Sequence, residues 1–131
     1  MTTIAEKLQQ ADWKKEKHAP VIECLDEAKV GEVVHITASI GNEIAHPNTT
    51  EHHISYITLF FLADGEKNPH QIGQFEFSAH GESTTGPNQG PVYSQPEVTV
   101  SVKLTVSGTL LAVSLCNIHG LWESSKAIRV T

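Results

Sequence analysis

The chain has 131 residues, 39% of them hydrophobic and 18% charged, with a formal net charge of -6. That length suits one domain over 1–131 with a core that needs no covalent staples, and no apolar run nears the ~20 residues that cross a bilayer. The acidic balance argues against nucleic acid as a partner, since phosphate binding runs on basic surface, and the opening Met1-Thr2-Thr3-Ile4-Ala5-Glu6-Lys7 lacks the apolar stretch of a signal peptide, so a cytoplasmic protein with no membrane partner is expected.

Residues 3–11 are predicted as a short helix, because Thr3 and Glu6 fit a capping box and Ile4 and Leu8 share one helical face. So short a helix is marginal alone and has to pack on something. Beyond Pro20 the apolar period becomes two. Val21 to Leu25 offers a first strand, and Val34, Ile36, Ala38 and Ile40 alternate with polar or small residues. Ile54 to Leu62 is nearly continuous apolar sequence, suited to a central strand, and Phe75, Phe77 and Ala79 share a face within Ile72 to Ala79. Val98 to Val106 alternates most strictly, and Thr109 to Cys116 and Lys126 to Val130 complete the set. About seven short strands with turn residues between them predict an all-β fold, an antiparallel β-sandwich. The long irregular stretch from Gly81 to Pro96 is either an exposed loop beside a site or a plain connection.

The segment Cys116-Asn117-Ile118-His119-Gly120 puts a thiolate and an imidazole three residues apart behind a predicted strand. With two cysteines in the chain, four-thiolate zinc and iron–sulfur schemes are excluded, and further ligands have to come from the eight histidines and the carboxylates. Two segments offer them: Glu16-Lys17-His18, and His46-Pro47-Asn48-Thr49-Thr50-Glu51-His52-His53. Each has a plainer alternative in isolation: a packing cysteine, a solvated charged stretch, a solvated strand entry. In a strand His52 and His53 face opposite ways, so one of them readily serves a site, and spacing leaves open which. His35, His70 and His80 are read as structural or surface residues. A Cys24–Cys116 disulfide is the competing use of the thiols; the metal hypothesis leaves Cys24 a lone thiol.

Ligand softness narrows the metal. One thiolate with several imidazoles suits iron, copper or zinc, not magnesium or calcium. Catalytic zinc takes three protein ligands, and blue copper takes two histidines and a weak axial Met, where this chain has only Met1. Four imidazoles and a thiolate fit iron in a square pyramid, with the sixth position free for a small molecule.

Three segments carry a family resemblance: Asp12-Trp13-Lys14-Lys15-Glu16-Lys17-His18-Ala19-Pro20-Val21-Ile22-Glu23, His46 to Ile54, and Cys116-Asn117-Ile118-His119-Gly120-Leu121-Trp122. Together with Ala79-His80-Gly81-Glu82 and Gly86-Pro87-Asn88, they closely resemble the superoxide reductases of the one-iron, neelaredoxin type, relatives of the iron-binding domain of desulfoferrodoxin. The likeness runs from about Ala11 to Trp122. It implies an immunoglobulin-like β-sandwich and one iron per chain, cycling between Fe2+ and Fe3+. His18, His46, His52 and His119 match its equatorial imidazoles and Cys116 its axial thiolate. Glu16 matches the carboxylate that takes the sixth position in the oxidised state, and Lys17 the cation beside the open site; both would be catalytic. The implied activity is one-electron reduction of superoxide to hydrogen peroxide, in antioxidant defence, by a homotetramer or homodimer. The cysteines of the rubredoxin-like domain in the larger branch of the family are missing, so electrons are expected from rubredoxin or a similar small protein. Superoxide dismutation at the same iron, a blue-copper-like electron carrier and a metal-free immunoglobulin-like binding module are the alternatives.

Overall fold

A computed structural model describes residues 1–131. The N-terminal helix α1 covers Ile4–Lys7, one turn rather than the longer helix expected. Its start is as the capping box predicts, with Thr3 Oγ1 accepting from Glu6 N at 3.3 Å. It ends because the following backbone finds better partners elsewhere: Gln9 N donates to Leu121 O at 3.0 Å, and Glu123 N donates to Gln9 O at 2.9 Å. Tertiary bonding outweighs local propensity here.

Eight strands follow: β1 (Val21–Glu23), β2 (Glu27–Ala28), β3 (Val33–Ser39), β4 (Ile54–Ala63), β5 (His70–Glu76), β6 (Glu97–Lys103), β7 (Gly108–Cys116) and β8 (Gly120–Val130). They form a β-sandwich of two sheets, a three-stranded β1-β3-β6 and a five-stranded β2-β8-β7-β4-β5. Pairing is antiparallel except for the two-residue contact of β2 with β8. The core lies between the sheets. Val34, Ile36 and Ala38 face it from β3, Ile57, Leu59, Phe61 and Ala63 from β4, and Leu110 and Ala112 from β7.

Two details of the ladders place the site. In β7 every second residue from Gly108 to Cys116 is buried, so the period of two that packs Leu110 and Ala112 also turns the Cys116 thiol inward at the end of the row. In β4 the register against β7 shifts between Ile54 and Tyr56. This bulge lets Ile54 and Ile57, which have opposite parity, both reach the core, at 3% and 0% exposure. Ile54 then lies opposite Cys116, and the loop that precedes β4 arrives beside the thiol.

Candidate metal centre

Three chain segments meet at this end of the sandwich. The first is Glu16 to Pro20. Ala19, Pro20 and Val21 are buried, which fixes the entry to β1, and Ser114 Oγ in the inward row of β7 donates to His18 O at 3.4 Å. The Glu16 carboxylate takes up the rest of the turn. One oxygen accepts from the amides of His18 and Ala19, and the other lies 2.5 Å from His18 Nδ1. A carboxylate accepts only, so Nδ1 carries the proton and His18 Nε2 presents a lone pair. Burial pushes the Glu16 carboxyl up, but its hydrogen bonds to His18 more than offset this and hold it below the usual range.

The second segment is the loop between β3 and β4. His46 Nδ1 donates to Pro47 O at 2.7 Å, which again leaves Nε2 unprotonated. Burial, followed by the neighbouring charges of His18, His52 and Lys17, pushes His46 down to about 4 despite the Pro47 bond. Thr49 closes the turn before β4: its hydroxyl accepts from His52 N at 3.0 Å and its amide donates to His52 O at 2.9 Å. Burial, then His119 and Lys17, lowers the His52 pKa as well. Neutral imidazoles of this kind give a metal little proton competition.

The third segment joins β7 to β8. His119 N donates to Cys116 Sγ at 3.3 Å, and His119 Nδ1 lies 3.8 Å from the sulfur and 3.2 Å from His18 Nε2. Gly120, at φ +82°, makes the turn into β8. The His119 carbonyl accepts from Gln9 Nε2 at 2.8 Å and Trp122 Nε1 at 3.3 Å.

One donor atom from each of His18, His52, Cys116 and His119 lies within 4.8 Å of the others. His46 sits beside them, its ring centroid 4.8 Å from those of His18 and His52. The Nε2 atoms of His46 and His52 are buried with no hydrogen-bond partner. Buried polar atoms are rarely left so, and two unpartnered ring nitrogens in a cluster with a thiol are what a bound cation would satisfy. The set fits iron: imidazoles and one thiolate, with no crowd of carboxylates.

Of the residues expected at the site, the structure therefore brings together His18, His46, His52, Cys116 and His119. Glu16 lies against the outer nitrogen of His18, not among the inner donor atoms. Lys17 is close enough for its charge to act on His46 and His52. His53 turns away: its Nδ1 donates to Thr49 O at 2.9 Å, and its ring stacks on His80 at 3.5 Å. His80 is structural, as expected, and buried; it links Asn48 to Phe77 O. His35 and His70 are exposed. Both cysteines are free thiols, and Cys24 packs against the core. The stretch Gly81 to Pro96 is not a free loop. Asn88, in left-handed conformation at φ 62°, bonds Thr50 N and the Glu51 carboxylate, and Ser94 O accepts from Asn48. Two contacts had no role in the sequence reasoning: the stack of Trp122 on His18, 4.8 Å between centroids, and the side-chain bonds of Asn117. Both residues lie in the family motif Cys116 to Trp122, the one signal for them in the sequence.

The desulfoferrodoxin family model matches residues 10–125. A neelaredoxin from Megalodesulfovibrio gigas is 53% identical over 95% of this chain and 96% of its own. A superoxide reductase from Pyrococcus furiosus is 52% identical over 92% of this chain and 95% of its own. The structure of the reduced superoxide reductase (neelaredoxin) of Archaeoglobus fulgidus superposes with a TM-score of 0.87 at 50% identity, covering 94% of this chain and 98% of that one. Sequence, fold and the cluster of donor atoms agree: the chain belongs to the desulfoferrodoxin family, in the branch of the neelaredoxin-type superoxide reductases.

Proposed function

We propose that this chain, acting as a single domain, reduces superoxide to hydrogen peroxide at one mononuclear non-haem iron. Each superoxide takes one electron from a rubredoxin-type donor and two protons from solvent. His18, His46, His52 and His119 hold the metal through imidazole and Cys116 through its thiolate. The observation that carries this is the convergence of donor atoms from His18, His52, Cys116 and His119 within 4.8 Å, with the Nε2 atoms of His52 and the adjacent His46 buried and without partners. When bound, iron supplies the Fe2+/Fe3+ couple and an open position for a small anion.

The chain's own residues do the rest. Glu16 fixes the His18 tautomer, so that Nε2 is free to ligate; were oxidised iron bound, the same carboxylate would be the residue available as a further ligand. Trp122 lies flat on the His18 ring and limits its tilt. Lys17 supplies local positive charge where the anion arrives. The thiolate, held by the His119 amide, donates electron density to the metal. The protein serves antioxidant defence in the cytoplasm as a homotetramer or homodimer. Half-buried Tyr56, Phe60, Leu111 and Val113 line grooves on the outer face of the five-stranded sheet, apolar surface that suits contact between copies.

The test is spectroscopic and stoichiometric. The iron-loaded, oxidised protein is expected to show a thiolate-to-iron charge-transfer band, lost in Cys116→Ser and kept in Cys24→Ser. One donor electron should be consumed per superoxide. Retention of the band in the Cys116 variant overturns the ligand assignment, and oxygen evolution without a donor makes the protein a dismutase instead.

A further inference from the structure

We propose that Asn117 is a positioning residue: its carboxamide sets where His52 stands relative to Cys116. Asn117 follows Cys116 directly, at the point where the β7–β4 ladder ends with Cys116 opposite Ile54. Its side chain carries the linkage one step further. Oδ1 accepts from His53 N at 2.8 Å, and Nδ2 donates to Glu51 O at 2.8 Å. Its own amide donates to His53 O at 3.2 Å. The carboxamide therefore grips the backbone on both sides of His52. All the hydrogen bonds joining the loop 46–53 to residues 116–119 are made by Asn117.

The residue type follows from the pattern. One end of the side chain has to accept and the other to donate, and a carboxamide does both. Aspartate would keep the bond from His53 N and face the Glu51 carbonyl with a second acceptor. Alanine would lose both. An asparagine in an ordinary turn bonds to its own backbone two residues on; this one spends its side chain on partners 64 and 66 residues away in sequence. The inference rests on the proposal that His52 and Cys116 hold the same ion. If they do, loosening the clamp changes the geometry at the sulfur and the retention of the metal, as loss of an outer partner of a metal ligand does.

The test compares iron-loaded wild type, Asn117→Ala, Asn117→Asp and Ser107→Ala. Ser107 is the control because its hydroxyl makes a similar clamp on the backbone of Val130, at the far end of the sheet. Three quantities are measured: the rate of Fe2+ loss to a chelator, the position of the thiolate-to-iron band, and the melting temperature of the metal-free protein. Asn117→Ala is expected to release iron about ten-fold faster and to shift the band, with Asn117→Asp between it and wild type. Ser107→Ala is expected to lower the melting temperature with release and band unchanged. The proposal is overturned if Asn117→Ala matches wild type in band and release, or if Ser107→Ala moves them equally. If the alanine variant does not fold, the aspartate variant decides by the same criteria. Should wild type itself lack the band, or Cys116→Ser retain it, the metal assignment fails first; a normal band in wild type with an unchanged Asn117→Ala defeats the clamp alone.

Discussion

His46 donates Nδ1–H to Pro47 O and keeps Nε2 buried without a partner, so a proton on that ring has to be held away from water. Burial and the cationic neighbours push it from 6.5 down to about 4. In the unfolded chain the ring takes its proton near 6.5. Above that pH it is neutral in both states and contributes nothing to pH dependence. Between 6.5 and about 4 the unfolded chain is protonated first, so stability falls as the pH falls through this window, and the loss levels off below it. We predict that the metal-free protein loses urea resistance between pH 6.5 and 4, and that His46→Phe has a shallower dependence across the same interval. A parallel dependence in the two proteins would assign the acid sensitivity to other groups. The same neutrality serves ligation, since a ring free of its proton at pH 6 is ready for a metal.

The loop between β3 and β4 has to bring His46 back to the end of the sandwich soon after Ser39, and Gly41 makes the turn at φ +85°. A Cβ there would lie 2.9 Å from His46 N, whereas Gly31, also left-handed at φ +74°, has nothing within 4 Å. Gly31→Ala should thus cost only backbone strain, roughly 1 kcal/mol. Gly41→Ala should cost about 1–3 kcal/mol, lower the melting temperature by several degrees more, and loosen iron as Gly31→Ala does not; equal melting temperatures for the two would remove the steric argument. Strands were legible wherever burial was one-sided. The alternation of β6 shows in its sequence, whereas the outward row of β7, Thr109, Leu111, Val113 and Leu115, is as apolar as its inward row, so that sequence does not tell which way Cys116 faces. The first half of β8 was not legible, because Glu123-Ser124-Ser125 is held by main-chain pairing with Val113, Ala112 and Leu111 and offers no apolar period. The bulge in β4 hid its parity behind an apolar run. At the site, residue chemistry made the histidines and the thiol readable, since few side chains bind a soft or borderline metal. The Trp122 stack, the Glu16–His18 contact and the Asn117 clamp were not, because each depends on which neighbours the fold supplies.

For the whole molecule the difficulty is charge, because a protein of net charge -6 has to attract an anion. Its cations are unevenly spread. Lys14, Lys15 and Lys17 stand within four residues just before His18 in the sequence, and Lys17 reaches far enough to act on two rings of the cluster. β4 runs away from that cluster, from Ile54 beside Cys116 to Ala63, and Lys67 follows in the exposed turn before β5. The two lysines contribute equally to net charge and very unequally to the field where superoxide arrives. With a Debye length of ~10 Å at 0.1 M salt, a distant charge is largely screened, while one beside the site is not. Local positive charge can raise encounter rates by about ten-fold against an adverse overall charge. We predict that Lys17→Ala slows the second-order reaction with superoxide several-fold at low ionic strength, that Lys67→Ala leaves it within error of wild type, and that the gap narrows as salt is added. Pulse radiolysis on the iron-loaded proteins measures all three. Equal rates at low salt would mean that steering is shared by the whole surface, and a gap that persists in high salt would move Lys17 from attracting the anion to contacting it at the centre.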